Sequence, residues 1–186
     1  TPSPTTLAAP NSGASFLKIG TGAKPAAMGE AYTAAVDDVN ALYYNPAGLS
    51  RISRREFGAT HAQWLQDTKF DFLGFAQPTS FGAIGLGLSR LASGSFEGRD
   101  PGRQASDGFT SSDTAYTLGL SRPFTRSSSL GLNVKYLESR IGAYSASAFA
   151  FDIGAVHKLS QWPISLGASV LNLGQGMRFF DQTDPL

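Results

Sequence analysis

Large apolar side chains alternate with glycine, alanine and serine in one segment after another from residue 57 onward. That period of two confines those segments to β-strands. The clearest is Ala83-Ile84-Gly85-Leu86-Gly87-Leu88-Ser89, with bulky residues at 84, 86 and 88 and tiny ones between. Residues 57–62, 116–121, 130–136, 149–154 and 164–170 follow the same rule, and 70–75 follows it less regularly. About seven strands are therefore expected. Short turns fall at Gln77–Ser80, Arg122–Ser127 and Ser160–Pro163, and longer polar connections at Ser93–Asp113 and Ser139–Ser147. Alternating short and long connections fit an antiparallel up-and-down sheet with turns on one side and loops on the other.

The second face of these strands decides between environments. A water-facing surface carries charge, whereas here it is Gly, Ala, Ser, Thr and Asn, a choice that loses strand propensity without a solvation gain. Two arrangements explain it: a barrel with its large side chains in lipid and its small ones inside, or a sheet that another segment packs against closely. Both are preferred to a soluble β-sandwich. Tyr136, Tyr144, Trp64, Trp162 and Phe179 fall near expected strand ends, where interfacial aromatics collect in membrane barrels.

Composition agrees without deciding. The net charge of +1 and the absence of a basic block exclude a nucleic-acid binder. Cysteine is absent, which removes disulfides, thiolate metal sites and a cysteine nucleophile. No run reaches the roughly 18 to 20 apolar residues of a transmembrane helix, but a barrel strand needs only about 10, half of them polar.

Residues 1–11 read as a flexible Pro/Thr/Ala-rich lead without signal-peptide features, so any export signal is expected to have been removed. Residues 12–53 are not strand-like. Ala26–Val36 suits a small-residue helix that packs closely. Asp37-Asp38 precedes a short helix around Asn40–Tyr44, where acidic groups suit the N-terminal dipole. Asn45-Pro46-Ala47-Gly48-Leu49 is a turn, with Pro46 disfavouring the α region at Asn45 and Gly48 able to supply a positive φ. Residues 54–186 hold the strands. The ending, Phe179–Leu186, reads as an inter-strand connection, so the wall is expected to continue beyond it.

The run Phe16-Leu17-Lys18-Ile19-Gly20-Thr21-Gly22-Ala23-Lys24-Pro25-Ala26-Ala27-Met28-Gly29-Glu30-Ala31-Tyr32, continued by Asp37-Asp38-Val39-Asn40-Ala41-Leu42-Tyr43-Tyr44-Asn45-Pro46-Ala47-Gly48-Leu49, resembles the opening of PorV/PorQ-type outer-membrane proteins. The wider FadL-like fatty-acid transporters carry a similar acidic pair followed by Asn-Pro-Ala-Gly-Leu. The resemblance implies an all-β, FadL-like transmembrane barrel of about fourteen strands, of which this chain supplies half, with a partly helical N-terminal hatch in the lumen. It implies residence in the bacterial outer membrane, with the lipid bilayer and other outer-membrane or secretion-machinery proteins as partners. The role it implies is a non-enzymatic accessory, shuttle or assembly protein. The alternative is passive transport of a hydrophobic small molecule.

Candidate site residues follow. Asp37, Asp38, Asn45, Pro46 and Gly48 form the hatch motif, structural first and a ligand contact second. Asn133, Lys135 and Asp152 take inward strand positions, where pairing competes with ligand selectivity. The histidines, His61 and His157, lie in polar strand positions with no Gly-x-Ser-x-Gly elbow, so no catalytic residue is expected. Neither a metal nor a cofactor is expected. The charged loop Glu97–Arg103 reads as solvated, or as a partner contact.

Overall fold

A computed structural model of the chain describes residues 14–64, 67–94, 96–99, 105–174, 176–179 and 182–184. Seven strands form one antiparallel sheet: β1 (Glu56–Gln63), β2 (Lys69–Thr79), β3 (Gly82–Ala92), β6 (Ser111–Pro123), β7 (Ser128–Ile141), β8 (Tyr144–Lys158) and β9 (Ser165–Gly174). They pair in chain order, each with the next in this series. Between β3 and β6 lies a hairpin of β4 (Phe96–Arg99) and β5 (Ala105–Phe109), and a short pair, β10 (Met177–Phe179) and β11 (Gln182–Asp184), follows β9. Among the described residues no helix is long and apolar enough to cross a membrane.

All seven expected strands are present, each overlapping its alternating run and extending beyond it at one or both ends. Three expected connections change. Ser139–Ser147 is not a loop: β7 and β8 stay paired to Ile141 and Tyr144, and Gly142 turns the chain with φ +58°. Its Ser, Arg and Gly residues read as loop composition, but the backbone pairs through them. The Ser93–Asp113 connection contains the β4–β5 hairpin. Of the Glu97–Arg103 loop, Glu97–Arg99 belongs to β4 and residues 100–103 lie outside the described residues, as do the lead at 1–11 and parts of the ending at 179–186. The Gln77–Ser80 turn sits two residues later, because Gln77 and Pro78 still pair with Ile84 and Ala83.

The inner face is a set of small-residue rows. Register aligns Ala76, Gly85, Gly119, Asn133 and Asp152 across five strands. A neighbouring row runs Ala83, Ser121, Gly131, Gly154 and Ser169. Residues 14–53 lie against these rows. Leu42 sits over Gly85 and Gly119, Val39 over Gly58 and Gly74, and Ala34 over Gly167. One core cluster joins Tyr32, Val36, Leu42 and Leu49 of this segment to Phe70, Phe72 and Ala83 of the sheet. The other joins Phe16 and Leu17 to Leu137, Ala148 and Met177.

Bulky residues do not all face outward. Phe70 and Phe72 are buried on the inner face, because β2 carries apolar residues at both parities and its inner ones fill the space beside Val39. Leu137 on β7 and Val156 on β8 are buried on the same face, whereas Leu86, Phe149 and Ile153 follow the rule and each keep more than half their surface exposed. Tyr136 is mid-strand rather than terminal.

The N-terminal segment is less helical than expected. α1 covers only Ala23–Ala27, α2 covers Ala41–Tyr44, and single 3-10 turns span Ser15–Lys18 and Pro46–Arg51. Glycine at 22 and 29, both with positive φ, bounds α1, and local turns continue to Val36.

Candidate functional site

The hatch motif is a clasp between the N-terminal segment and the sheet. Asn45 is fully buried with extended backbone, as Pro46 requires. Its Oδ1 accepts from the Ala47 N–H at 3.1 Å, capping the second 3-10 turn. Its Nδ2 lies 2.9 Å from the Thr33 carbonyl, 3.1 Å from that of Ala155 and 3.4 Å from that of Ala168. One amide thus ties the segment to itself and to two strands. The backbone of Pro46 and Ala47 lies directly on Gly131, and Asn45 on Gly154. Gly48 has no positive φ; it is needed because a Cβ there would overlap Val36. Arg51 completes the clasp, donating to the Ala34 carbonyl at 2.8 Å and to Ser165 Oγ at 3.3 Å.

Asp37 and Asp38 serve the rim of the segment. Tyr32 Oη lies 2.9 Å from Asp37 and 3.0 Å from Asp38, Lys24 Nζ donates to Asp37 at 2.6 Å, and the Asn40 N–H donates to Asp38 at 2.9 Å. Asp38 thus closes a turn before α2 instead of capping the helix. Burial pushes the Tyr32 phenol up to about 12; Lys24 opposes this, while Asp37 and Asp38 add to it. Deeper in, burial and the hydrogen-bonded Glu30 carboxylate push the Tyr44 phenol up. Burial also pushes Asp37 up, but hydrogen bonds from Lys24 and Tyr32 and the charges of Lys24 and Arg51 outweigh it and hold the carboxyl below its usual 3.8.

A depressed carboxyl stabilises the fold fully above its unfolded pKa, and that contribution is lost as pH falls through the folded value. We therefore expect the near-ultraviolet circular dichroism of the tyrosine cluster to change below pH 3.8. Asp37→Asn should remove that step. The effect is small, since both ionic partners are half exposed.

The three inward polar candidates converge. Asn133 and Asp152 are cross-strand neighbours, and Lys135 stands two residues along β7. Asp152 Oδ2 lies 2.8 Å from both Lys135 Nζ and Asn133 Nδ2, and Asp152 Oδ1 accepts the Asn172 N–H at 2.8 Å. Lys135 also donates to Asn172 Oδ1 at 2.8 Å, and Asn133 to the Leu42 carbonyl at 2.9 Å. Asn172 sits at a register shift between β8 and β9 with φ +58°. The ion pair is buried, neutral overall, and joined to the N-terminal segment. Its spare capacity is Asn133 Oδ1, a buried acceptor without a partner among the described residues.

The sequence reading missed Asn172, Glu30, Tyr32 and Arg51. Asn172 carried a signal, since Asn tolerates positive φ; the contacts of Arg51 depend on tertiary packing alone. The histidines do not share a site. His61 lies 2.6 Å from Asp71 near one end of the sheet, and His157 lies 2.8 Å from Ser128 near the other. Among the described residues no group of three or more His, Asp or Glu side chains gathers to hold a metal.

The outer face is ordered as sharply as the inner one. Ile84, Leu120, Leu132, Ile153 and Val170 form one row. Phe57, Phe75, Leu86, Leu118, Val134, Phe151 and Leu173 form the next. The third ends in Tyr116, Tyr136 and Phe149, with ring centroids 6.3 and 5.3 Å apart. Immediately beyond it the row is His61, Asp71, Arg90, Thr114, Glu138 and Ser147. Apolar character stops at one line across six strands.

Fold and site together define an antiparallel β-meander with an apolar outer face and a small-residue inner face occupied by the chain's own N-terminal segment. The chain belongs to the uncharacterised protein family UPF0164, whose model matches residues 10–151. That span takes in both partners of the packing, the segment and the sheet through about half of β8. Among curated proteins no match was found.

Proposed function

We propose that this chain forms part of the wall of a FadL-like β-barrel in the bacterial outer membrane, with the N-terminal segment as its hatch. Its role is that of a non-enzymatic accessory, shuttle or assembly protein of PorV/PorQ type, working with other outer-membrane or secretion-machinery proteins. The observation that carries the membrane reading is the exposed outer face: three rows of bulky side chains, the last of them ending in aromatics and bordered by charge. Water would leave that surface unsatisfied, while lipid would cover it.

Dimensions agree. β7 has 14 residues. At about 3.4 Å per residue and a tilt of about 45°, such a strand rises roughly 34 Å, enough to carry an apolar band together with the charged rows that border it. β1 and β9 are first and last of seven antiparallel strands, so they run in the same direction. Closing the sheet with antiparallel neighbours therefore takes an odd number of further strands. The other half of a barrel of about fourteen meets that condition. The covered inner face favours the accessory role over passage of a hydrophobic solute, because the segment fills the space a solute would use.

Membrane fractionation of the full-length protein tests this reading, with heat-modifiable gel mobility as the barrel readout. The protein is expected in the outer-membrane fraction, migrating faster unheated than boiled. Leu118→Arg, in the middle outer row, is expected to destabilise the inserted form by about 2 kcal/mol. A folded, detergent-free soluble monomer that tolerates Leu118→Arg would sink the proposal. Co-purification of secretion-machinery components tests the accessory role separately.

A further inference from the structure

At the border of the apolar outer face, β3, β6 and β7 form a cleft of about 250 Å³. Leu88 and Tyr116 line its apolar side, and Arg90, Thr114, Glu138 and Arg140 its polar side, with Ser112 alongside. Register assembles it: Arg90, Thr114 and Glu138 are consecutive cross-strand neighbours, and Ser112 faces Arg140 one step beyond. Arg140 donates to Glu138 through Nε at 2.8 Å and Nη2 at 2.5 Å, so those two charges cancel. Arg90 is exposed, and no hydrogen bond or ion pair engages its side chain among the described residues. Its neighbour on the other side, Asp71, is held by His61 at 2.6 Å. Among the residues that line the cleft two guanidiniums thus face one carboxylate, a net charge of +1, while the carboxylate of Asp71 beside Arg90 lies outside the lining.

We propose that this cleft seats the phosphate headgroup of an anionic lipid. Guanidinium groups match phosphate oxygens geometrically, and the Ser112 and Thr114 hydroxyls add donors. The cleft lies where the aromatic row meets the charged row, the level at which headgroups sit beside interfacial aromatics. The wall of Leu88 and Tyr116 distinguishes a lipid from free phosphate: an acyl chain would continue along it toward Leu86 and Leu118, whereas a soluble ion would leave it wet. The inference rests on the membrane reading above.

The test uses the full-length protein in vesicles of phosphatidylcholine with or without phosphatidylglycerol, with retained lipid counted by native mass spectrometry. Phosphatidylglycerol is expected to be retained over phosphatidylcholine. Arg90→Gln should weaken that preference about fivefold and the Arg90→Gln/Arg140→Gln pair about thirtyfold, with flotation on neutral vesicles unchanged. Glu138→Gln should strengthen it, which keeps the assignment testable if an arginine variant folds poorly. Equal preference in the wild type and the double variant, with both floating on neutral vesicles, would overturn the assignment and leave the membrane reading standing. So would displacement of phosphatidylglycerol by millimolar inorganic phosphate. Failure of the wild type to float on either vesicle would sink the membrane reading and this assignment with it.

Discussion

Gly131→Ala is expected to destabilise the fold by about 3 kcal/mol and to expose the N-terminal segment to protease. The added methyl would overlap the Pro46 carbonyl and the Ala47 nitrogen. Both are backbone, so no rotamer change makes room. Lifting the turn would stretch the bonds from Asn45 Nδ2 to the Ala155 and Ala168 carbonyls. It would also strain the bond from Ser121 Oγ to the Ala47 carbonyl, 3.1 Å long. Gly87→Ala is the contrasting case. Its methyl would meet Thr117 Cβ at 3.3 Å and Leu42 Cδ1 at 3.4 Å, contacts that a small shift relieves. Alanine also suits a strand better than glycine does, so a change within about 1 kcal/mol is expected there. Denaturant midpoints of the two variants, with cleavage between residues 24 and 35 as a second readout, decide the matter. If both variants lose stability equally, close backbone approach is not what makes glycine necessary at 131.

That contrast shows why the small-residue face was legible and its purpose only partly so. Alternation located all seven strands, and the glycines announced that something must approach closely. The alanine-rich N-terminal segment, suited to close packing, pointed to the occupant. Which glycine meets which atom depends on cross-strand register, which a period of two does not contain. Gly131 and Gly154 are direct partners 23 positions apart, and only their alignment makes a seat for Asn45 and Pro46.

Misread positions share a cause: local composition was outweighed by neighbours distant in sequence. Phe70 and Phe72 turn inward because Leu73 and Phe75 occupy the outer face of the same strand, leaving parity ambiguous in an apolar run. Residues 139–147 look like loop chemistry, yet Ser139 hydrogen-bonds Asp113 on β6 and the strands continue past it. The segment 26–36 looks helical from its alanines, but Gly29 and Glu30 take positive φ and turn the chain, which places Tyr32 against Tyr44, ring centroids 5.6 Å apart. Asn133, Lys135 and Asp152 could be named as inward from parity alone. Their joining through Asn172 depends on the irregularity between β8 and β9, which has no signature in alternation.

Asp152→Ala should be the more damaging change, costing about 4 kcal/mol. It leaves Lys135 buried without its carboxylate, removes the acceptor for Asn133 Nδ2 and frees the Asn172 N–H. The penalty comes from the orphaned cation more than from a lost attraction, because desolvation already consumes most of what a buried pair gains. The two explanations separate in a double variant. Lys135→Met/Asp152→Leu removes both charges and keeps apolar volume, so it should recover most of the loss, to within about 1–2 kcal/mol of the wild type. Lys135→Met alone should fall near Asp152→Ala, since it strands the carboxylate instead. Denaturation of the wild type, Lys135→Met, Asp152→Leu and the double variant under one condition closes the cycle and gives the coupling directly. Additive losses in the double variant would mean that the cluster acts as independent hydrogen bonds. A double variant far less destabilised than the sum of the single variants would identify it as the neutral pin that holds the Leu42 carbonyl, and with it the N-terminal segment, against the sheet.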